Sequence, residues 1–342
     1  SVDDASHAAE RIAAVVCEPF ALSGAQYSIS ASIGISVYPR DGADAEKLLN
    51  NADIAMYAAK DEGRGGHYLF QPQLYHRLKQ RIATEAALVR AIANDEFALH
   101  FQPRMRSSDG AMTGLEALLR WNHPDQGLLS PGEFFPQIET NSLLQSLGDM
   151  VVNKACAHLA AWQHRGLALA PVAVNVSARQ FNQGDVAEQV AAAPALHAVQ
   201  PRWLELEITD VASLADSESV RSQLRRLGSM GVRLHIDDFG VGPSSLSQLQ
   251  HLPVQVLKIH PRFTSSLGSE PAGAVFFNAL ISMAHALGLV VVAEGVESHQ
   301  QLSFLRDMGC DEVQGYFVAP VLPAEQLPAL LENRALHESL TA

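Results

Sequence analysis

The segment Val232–Gly240, which reads VRLHIDDFG, decides the fold because a short apolar run in it stops at two adjacent aspartates, Asp237 and Asp238. Residues 232–236 have the length and composition of a buried strand. Seven further runs of this kind lie between residues 97 and 316, separated by amphipathic stretches of helical period. These runs are FALHFQP (97–103), LEALLRW (115–121), VAVNVS (172–177), LELEIT (204–209), VQVLKI (254–259), LVVVAEGVE (289–297) and DEVQGY (311–316).

Repeated strand–helix units predict an α/β fold, and eight of them predict a TIM-like (β/α)8 barrel. In such a barrel the carboxyl ends of the strands share one rim, where active sites form. Four of the runs carry acidic residues at or near their ends, so we expect several carboxylates to converge there. Because anions in a small volume repel one another, protons or cations must neutralise them. The sequence therefore predicts a divalent-metal site.

The composition limits the ligands and the compartment. A formal charge of -13 and a pI near 5.5 argue against a DNA or RNA footprint, which needs a clustered basic face. The sequence has three cysteines, Cys17, Cys156 and Cys310, and no C-x-x-C pair. This pattern argues against disulfides and against a zinc site with thiolate ligands, and it favours a reducing compartment such as the cytoplasm. No apolar run is long enough to predict a membrane span. The chain starts at Ser1 inside a helical pattern, so we interpret it as an excerpt of a longer protein, for which a membrane-linked sensor is one option.

Residues 1–70 follow a different pattern. We predict a helix over residues 9–16, a strand over residues 28–38, and a helix from Ala45 that ends at the glycine-rich residues 63–66. One strand and two helices are too little to bury a core alone. This part is therefore predicted to pack against a missing part of the protein or against the helical segment that follows it.

A helical pattern over residues 71–94 connects this part to the barrel domain, which we assign to residues 95–342. Core packing explains the apolar stripes on the barrel helices. One such stripe consists of Leu143, Leu147, Val151, Ala155 and Leu159.

Two of the predicted strands alternate polar and apolar residues. Period two places Glu205 and Glu207 on one face of LELEIT, and His235 and Asp237 on one face of RLHID. We expect the apolar residues to face the helix layer and the polar set to face the barrel interior.

Each candidate site residue also has a purely structural interpretation. Asp237 and Asp238 alone would suggest a strand-to-loop cap, but the adjoining FGVGPSSL loop is glycine-rich and can turn tightly near a ligand. Glu116, Glu207 and Glu294 could be surface glutamates, yet apolar residues flank each of them. Adjacent aspartates at one strand end can hold two metals for phosphoryl displacement.

The remaining candidates could likewise have a structural role or a role in the site. Asn175 could form a turn, but an amide oxygen also binds hard metals. Lys258 could extend to water, or it could orient a metal-bound water. Two arginines could be surface charges or could contact phosphate oxygens. They are Arg120, which lies where the strand that carries Glu116 begins to end, and Arg179. Oxygen ligands without cysteine favour Mg²⁺ or Mn²⁺ over Zn²⁺.

The motifs FQP, EALLRW, NVSARQF, ELEIT, DDFG, LKI, AEGVE and QGY, in this order and spacing, resemble the EAL domain, the cyclic-di-GMP phosphodiesterase family, over residues 90–330. Within residues 27–70, SIGISVYPRDG and ADIAMYAAKDEGR resemble the C-terminal part of a GGDEF diguanylate cyclase domain. The GGDEF signature loop does not occur in the sequence. The resemblance therefore excludes cyclase activity of this chain.

The resemblance implies an EAL-type barrel that hydrolyses one phosphodiester of cyclic-di-GMP to linear pGpG with two Mg²⁺ or Mn²⁺ ions. The implied ligands of the first metal are Glu116, Asn175, Glu207 and Asp237. Those of the second metal are Asp237, Asp238 and Glu294. The implied catalytic residues are Lys258, which would assist the attacking water, and Glu297 and Gln314, which would orient the metal ligands. The implied substrate contacts are Gln102, Leu119, Arg120, Arg179 and Asp210.

The sequence departs from the family pattern at four places. His260 stands where the family usually has aspartate, in Lys-x-Asp. Asp210 replaces a glutamate that normally anchors the loop after the aspartate pair, and in that loop Val241 and Pro243 replace threonine and an aromatic residue. Ser142 replaces a glycine. The primary ligand set is intact, so we expect an active enzyme with modest or regulated turnover.

Two other functions remain open at this stage. His260 and the altered loop suit a barrel that binds cyclic-di-GMP as a receptor without hydrolysing it. An enolase-like barrel with a lysine base would also place acids at strand ends, although the adjacent aspartates and the two arginines argue against it. We also expect a homodimer through the barrel near the loop after Asp238, as the family commonly forms.

Overall fold

The computed structural model describes residues 2–22, 25–61, 65–135, 143–214, 217–241, 249, 252–267 and 271–332. The described residues up to Ala93 form one compact unit, and those from Asn94 form a second, except that Phe134 and Phe135 cluster with the first. Among the described residues, no helix combines the length and the apolar character that a membrane crossing needs.

The first unit is a small assembly of helices and short strands. Its elements are α1 Val2–Val16, β1 Phe20–Leu22, β2 Ala25–Tyr27, β3 Ile33–Ile35, α2 Ala45–Asp61, β4 His67–Leu69 and α3 Pro72–Ala93. Strands β1 and β2 pair antiparallel, whereas β3 and β4 pair parallel. A Cβ at Gly34 would lie 1.8 Å from the Ala52 carbonyl oxygen, so glycine lets β3 lie directly against α2.

Two predictions about this unit had the wrong extent. The strand predicted over residues 28–38 is described only at Ile33–Ile35, because only these residues pair with β4. The helix predicted from residue 9 begins at Val2. The predicted start of α2 at Ala45 is confirmed, while Gly63, part of its predicted end, lies outside the described residues.

The second unit contains a closed barrel. Its elements are β5 Phe97–Arg106, β6 Met112–His123, β7 Gly127–Leu129, α4 Pro131–Phe134, α5 Leu143–His164, β8 Val172–Ser177, α6 Ala178–Gln183, α7 Val186–His197, β9 Leu204–Thr209, α8 Glu218–Ser229, β10 Arg233–Phe239, β11 Val256–Ile259, α9 Pro261–Thr264, α10 Pro271–Ala286, β12 Val290–Ala293, α11 His299–Asp307, β13 Glu312–Val313, β14 Leu322–Pro323 and α12 Leu327–Glu332. The strands follow the order β5-β13-β12-β11-β10-β9-β8-β6, and pairing of β5 with β6 closes the ring. This confirms the predicted eight-stranded α/β barrel.

Strand β5 breaks the expected repeat. It runs antiparallel to both of its barrel neighbours, β6 and β13, whereas the other adjacent barrel strands are parallel. Residues 107–111 between β5 and β6 are too few for a helical crossover, so the two strands form a hairpin. The prediction of a strand–helix unit was therefore wrong for the first of the eight strands.

Strand β6 is also longer than predicted. It pairs with β8 only over Leu115–Ala117, and then continues to His123 along β5 and β7. Arg120 therefore lies inside the strand and not near its end. Glu116 lies where β6 is still part of the barrel wall.

The predicted inner and outer faces are confirmed on β9. Glu205 and Glu207 are both fully buried, and both form ion pairs with Arg104, which reaches them from β5. This face of β9 therefore lines the barrel interior. Core packing of the predicted stripe on α5 is confirmed for its buried members Leu147, Val151, Ala155 and Leu159.

Candidate active site

Oxygen-bearing side chains from five strands meet at the carboxyl-terminal rim of the barrel. They come from β6 (Glu116), β8 (Asn175), β9 (Glu207), β10 (Asp237 and Asp238) and the residue after β12 (Glu294). Parallel register explains part of this arrangement, because Asn175 pairs with Glu207, and Glu207 pairs with His235. The structure thus brings together the residues predicted as metal ligands.

Lys258 from β11 lies at the centre of this group and is fully buried. Its Nζ atom lies 2.6 Å from Glu207 Oε2 and 2.6 Å from Glu294 Oε1. It also lies 3.2 Å from Glu116 Oε2 and 3.4 Å from Asp237 Oδ1. Burial lowers the pKa of Lys258, but the attraction of these four carboxylates outweighs burial and leaves its pKa well above the ordinary value. The lysine is therefore a protonated counterion.

Glu116 is held by amide groups on two sides. Asn175 Nδ2 donates to Glu116 Oε1 at 2.9 Å, and Gln314 Nε2 donates to Glu116 Oε2 at 2.7 Å. Gln314 also donates to Gln102 Oε1 at 3.2 Å, and Gln102 donates to the Ala319 carbonyl at 3.1 Å. This chain of hydrogen bonds fixes the orientation of the Glu116 carboxylate.

Asp237, Asp238 and Glu294 each offer a carboxylate oxygen, and these oxygens lie within 4.8 Å of one another. Side chains of adjacent strand residues normally point to opposite faces. Here the pairing register shifts between Ile236 and Phe239, and Asp238 has a left-handed φ of 53°. This local distortion allows two consecutive aspartates to reach the same site.

The charge balance of the rim suits a divalent cation. Burial, together with the charge of Asp237, raises the pKa of Asp238, and burial also raises the pKa of Glu294 well above its ordinary value. Asp237 Oδ1 is buried without a hydrogen-bond partner among the described residues. Five acidic side chains share the rim with one lysine, and four of them contact it. The available metal ligands are oxygen atoms, which fits a hard ion such as Mg²⁺ or Mn²⁺.

His260 takes part in two local contacts beside this group. Its Nδ1 accepts a hydrogen bond from the Arg262 backbone N–H at 3.1 Å, which caps α9. Because Nδ1 accepts, the neutral ring carries its proton on Nε2, and Nε2 lies 3.7 Å from Asp238 Oδ1. A ring held in this way presents a proton to Asp238 and not a lone pair to a metal.

Three residues predicted to contact the substrate, Leu119, Arg120 and Arg179, are buried or half-buried. Arg120 is half-buried and its Nη1 donates to the Leu119 carbonyl at 2.8 Å, while the Leu119 side chain is buried. Arg179 is half-buried in the first turn of α6. Burial lowers the pKa of Arg120, although Tyr316 and Glu116 act in the opposite direction.

Glu297 and Asp210 have no contact with the acids around Lys258 among the described residues. Glu297 is exposed, and its backbone N–H donates to Gln301 Oε1 at 2.8 Å. Asp210 is exposed, and its left-handed φ of 53° marks the turn after β9. Val241 is exposed, whereas Pro243 and Ser142 lie outside the described residues.

A second buried ionic group lies in the barrel interior, and the site predictions did not include it. It consists of Arg104, Glu205, His235 and Glu312, all at or below 7% exposure. The alternation in LELEIT and RLHID pointed to Glu205 and His235. The run FALHFQPRMR alternates in the same way and places Arg104 on the same face as Gln102, so the sequence carried a signal for Arg104 as well. Glu312 lies in a two-residue strand, which is too short to show a pattern.

The barrel and its acidic rim define a class of protein, a TIM-like barrel with a carboxylate-rich site at the strand ends. The sequence profile of the EAL domain matches residues 85–321, and that of the diguanylate cyclase GGDEF domain matches residues 1–66. The chain belongs to the EAL domain family, and a partial GGDEF segment precedes its barrel in the sequence.

Relatives and solved structures agree with this assignment. The chain is 38% identical over 326 residues to the bifunctional diguanylate cyclase/cyclic di-GMP phosphodiesterase MucR of Pseudomonas aeruginosa, covering 95% of this chain and 48% of MucR. It is 38% identical to the cyclic di-GMP phosphodiesterase NbdA of the same organism, covering 94% of this chain and 41% of NbdA. The chain thus spans about half the length of these relatives or less.

A solved structure of the MucR phosphodiesterase in complex with c-di-GMP superposes with a TM-score of 0.67 at 38% identity. The match covers 72% of this chain and 99% of that one.

Proposed function

We propose that this chain hydrolyses one phosphodiester of cyclic-di-GMP to linear pGpG in bacterial second-messenger signalling. The observation that carries the proposal is the group of four carboxylates around Lys258 at the barrel rim. Membership of the EAL family supports it, as do the phosphodiesterase NbdA and the c-di-GMP complex of MucR. His260, one of the chain's departures from the family pattern, lies beside Asp238, and the four acids around Lys258 remain in place.

The donor set fits two Mg²⁺ or Mn²⁺ ions. Glu116, Asn175, Glu207 and Asp237 would hold the first ion. Asp237, Asp238 and Glu294 would hold the second. When bound, such ions lower the pKa of a water and neutralise charge on the phosphate.

The side chains of the protein would position the reactants. Hydrolysis adds water to phosphorus and breaks the P–O3′ bond, so that the product carries a 5′-phosphate and a free 3′-hydroxyl. The Lys258 ammonium would hold the attacking water by donating a hydrogen bond, because a protonated amine cannot accept one. Arg120 would contact a phosphate oxygen, with Gln102, Leu119, Arg179 and Asp210 as further substrate contacts. Gln314 would keep Glu116 oriented, and Glu297 would support the metal ligands.

The proposal extends to the whole segment. Residues 1–70 would be the remaining part of a GGDEF-like domain, 71–94 a connecting helix and 95–342 the phosphodiesterase domain. The reaction would take place in the cytoplasm, and two copies would associate through the barrel near the loop after Asp238. Sedimentation at several concentrations tests the association.

Incubation of the purified chain with cyclic-di-GMP and Mg²⁺ or Mn²⁺ tests the activity, with products separated by chromatography. We expect pGpG from the unaltered chain and none from Glu116→Gln, which keeps the size of the side chain and removes its charge. Glu188→Gln, a matched change at an exposed position of α7, should leave the product unchanged. Binding of cyclic-di-GMP without product would overturn the hydrolase in favour of a receptor.

A further inference from the structure

The buried ionic group below the rim is centred on Arg104. Arg104 Nη2 lies 2.6 Å from Glu205 Oε2, and Nε lies 2.6 Å from Glu312 Oε2. His235 Nε2 lies 3.3 Å from the same Glu205 oxygen. Arg104 and Glu205 are fully buried, so their charges interact with little screening by water, and the His235 ring beside them is fully buried as well.

Glu207 connects this group to the rim. Its Oε1 lies 3.7 Å from Arg104 Nη1 and 3.4 Å from His235 Nδ1. Its Oε2 lies 2.6 Å from Lys258 Nζ. One oxygen of the carboxylate is therefore attracted to the interior while the other is directed to the rim.

The fold leaves space for the guanidinium. Gly114 is the residue on β6 that pairs with Arg104. A Cβ at Gly114 would lie 2.6 Å from Arg104 Nη2 and 3.1 Å from Arg104 Cζ. The missing side chain at this position thus makes room for an arginine with three carboxylate neighbours.

We propose that Arg104 is a positioning residue for Glu207: by attracting Oε1 toward the barrel interior, it fixes the plane of the carboxylate that would hold the metal ion at the rim. This inference rests on the proposed function, in which Glu207 is a metal ligand. Groups that orient a metal ligand typically contribute about 10–100-fold to metal affinity or activity.

A purely structural role makes a different prediction. If Arg104 only neutralises Glu205 and Glu312, it becomes dispensable once both are replaced by glutamine. If Arg104 positions Glu207, it is still required in that background. The comparison of E205Q/E312Q with R104M/E205Q/E312Q therefore separates the two roles, because the charges of Glu205 and Glu312 are already absent when Arg104 is replaced.

The experiment measures Mn²⁺ affinity by calorimetry, without substrate, on the whole chain. We expect E205Q/E312Q to bind Mn²⁺ nearly as tightly as the unaltered chain. The triple variant should bind Mn²⁺ about 10–100-fold more weakly than the double variant, and the two variants should have the same melting temperature. Arg106→Met, on the exposed end of the same strand, is the matched control and should bind normally.

Equal Mn²⁺ affinity of the double and triple variants would overturn the positioning role. If the triple variant does not fold, Arg104→Lys decides instead. Lysine keeps the positive charge but lacks the planar guanidinium group that reaches three carboxylates. Unchanged Mn²⁺ affinity in this variant would therefore also overturn the positioning role of Arg104. An unaltered chain that neither binds Mn²⁺ nor forms pGpG would instead overturn the proposed function, and this inference with it.

Discussion

The Lys258 ammonium lies 2.6 Å from Glu207 Oε2, and both side chains are fully buried. The same ammonium contacts Glu116, Asp237 and Glu294. Such a group of acids is stable only if positive charge compensates it. Lys258 supplies part of that charge, so this residue links the stability of the barrel to the proposed metal site.

Replacement of Lys258 by methionine should destabilise the chain in the absence of metal. The change leaves buried carboxylates uncompensated, and the free energy of unfolding should fall by roughly 3–5 kcal/mol. Added Mn²⁺ should then raise the melting temperature of the variant more than that of the unaltered chain, because the ion replaces the lost charge. Differential scanning calorimetry with and without Mn²⁺ measures both effects.

Lys154→Met is the control for this change. Lys154 pairs with Asp95, whose side chain is 79% exposed. A pair of this kind contributes about 0–1 kcal/mol, so the melting temperature should change little. Equal losses in the two variants would contradict the role of Lys258 as a buried counterion.

His260→Asp should tighten Mn²⁺ binding. An aspartate there can still cap α9 and adds an anionic oxygen beside Asp238, in place of a ring that presents its proton. We expect about tenfold higher affinity for the weaker ion, which corresponds to about 1.4 kcal/mol. His260→Asn keeps the cap without the charge and should show no gain. A gain in both variants would point to the cap and not to the charge.

Much of the candidate site could be predicted from the sequence. Asn175, Glu207, Asp237 and Lys258 each lie at or near the end of a short apolar strand, and parallel strands bring such positions to one rim. For these residues, the position at a strand end that the sequence predicts is also the position that the barrel brings to the site. Glu294 follows the same rule one residue after β12.

Other features of the fold and the site depend on contacts that form only in the closed barrel. The run FALHFQP looks like the other strands, so its antiparallel direction was missed, although the five residues between β5 and β6 leave no room for a helix. Arg104 meets Glu205 across 101 positions of sequence, and this contact exists only once the ring closes. The left-handed backbone of Asp238 likewise lies at a shift in register between β10 and β11, which depends on how the two strands pair.

The cysteines should differ sharply in reactivity. Burial raises the pKa of Cys156 to about 12, and burial together with the charge of Asp311 raises the pKa of Cys310 to about 12. Both therefore remain protonated thiols at neutral and mildly alkaline pH, and only a thiolate reacts rapidly. Cys17 is exposed. Titration with an aromatic disulfide reagent should detect one thiol in the native chain and three after denaturation. Reaction of a second thiol at the rate of the first would contradict the burial of these residues.

Gly315→Ala should disturb the site through the backbone. A Cβ at this position would lie 2.2 Å from the Val296 nitrogen and 2.3 Å from the Val296 oxygen, and backbone atoms cannot rotate away as a side chain can. Strain of this kind costs typically 1–3 kcal/mol. Because Gln314 precedes Gly315 and holds Glu116, Mn²⁺ affinity should fall together with the urea midpoint. Gly132→Ala, where a Cβ meets nothing within 4 Å, should change neither quantity. A Gly315→Ala chain with normal stability and normal Mn²⁺ affinity would mean that the turn after β13 can shift without moving Gln314.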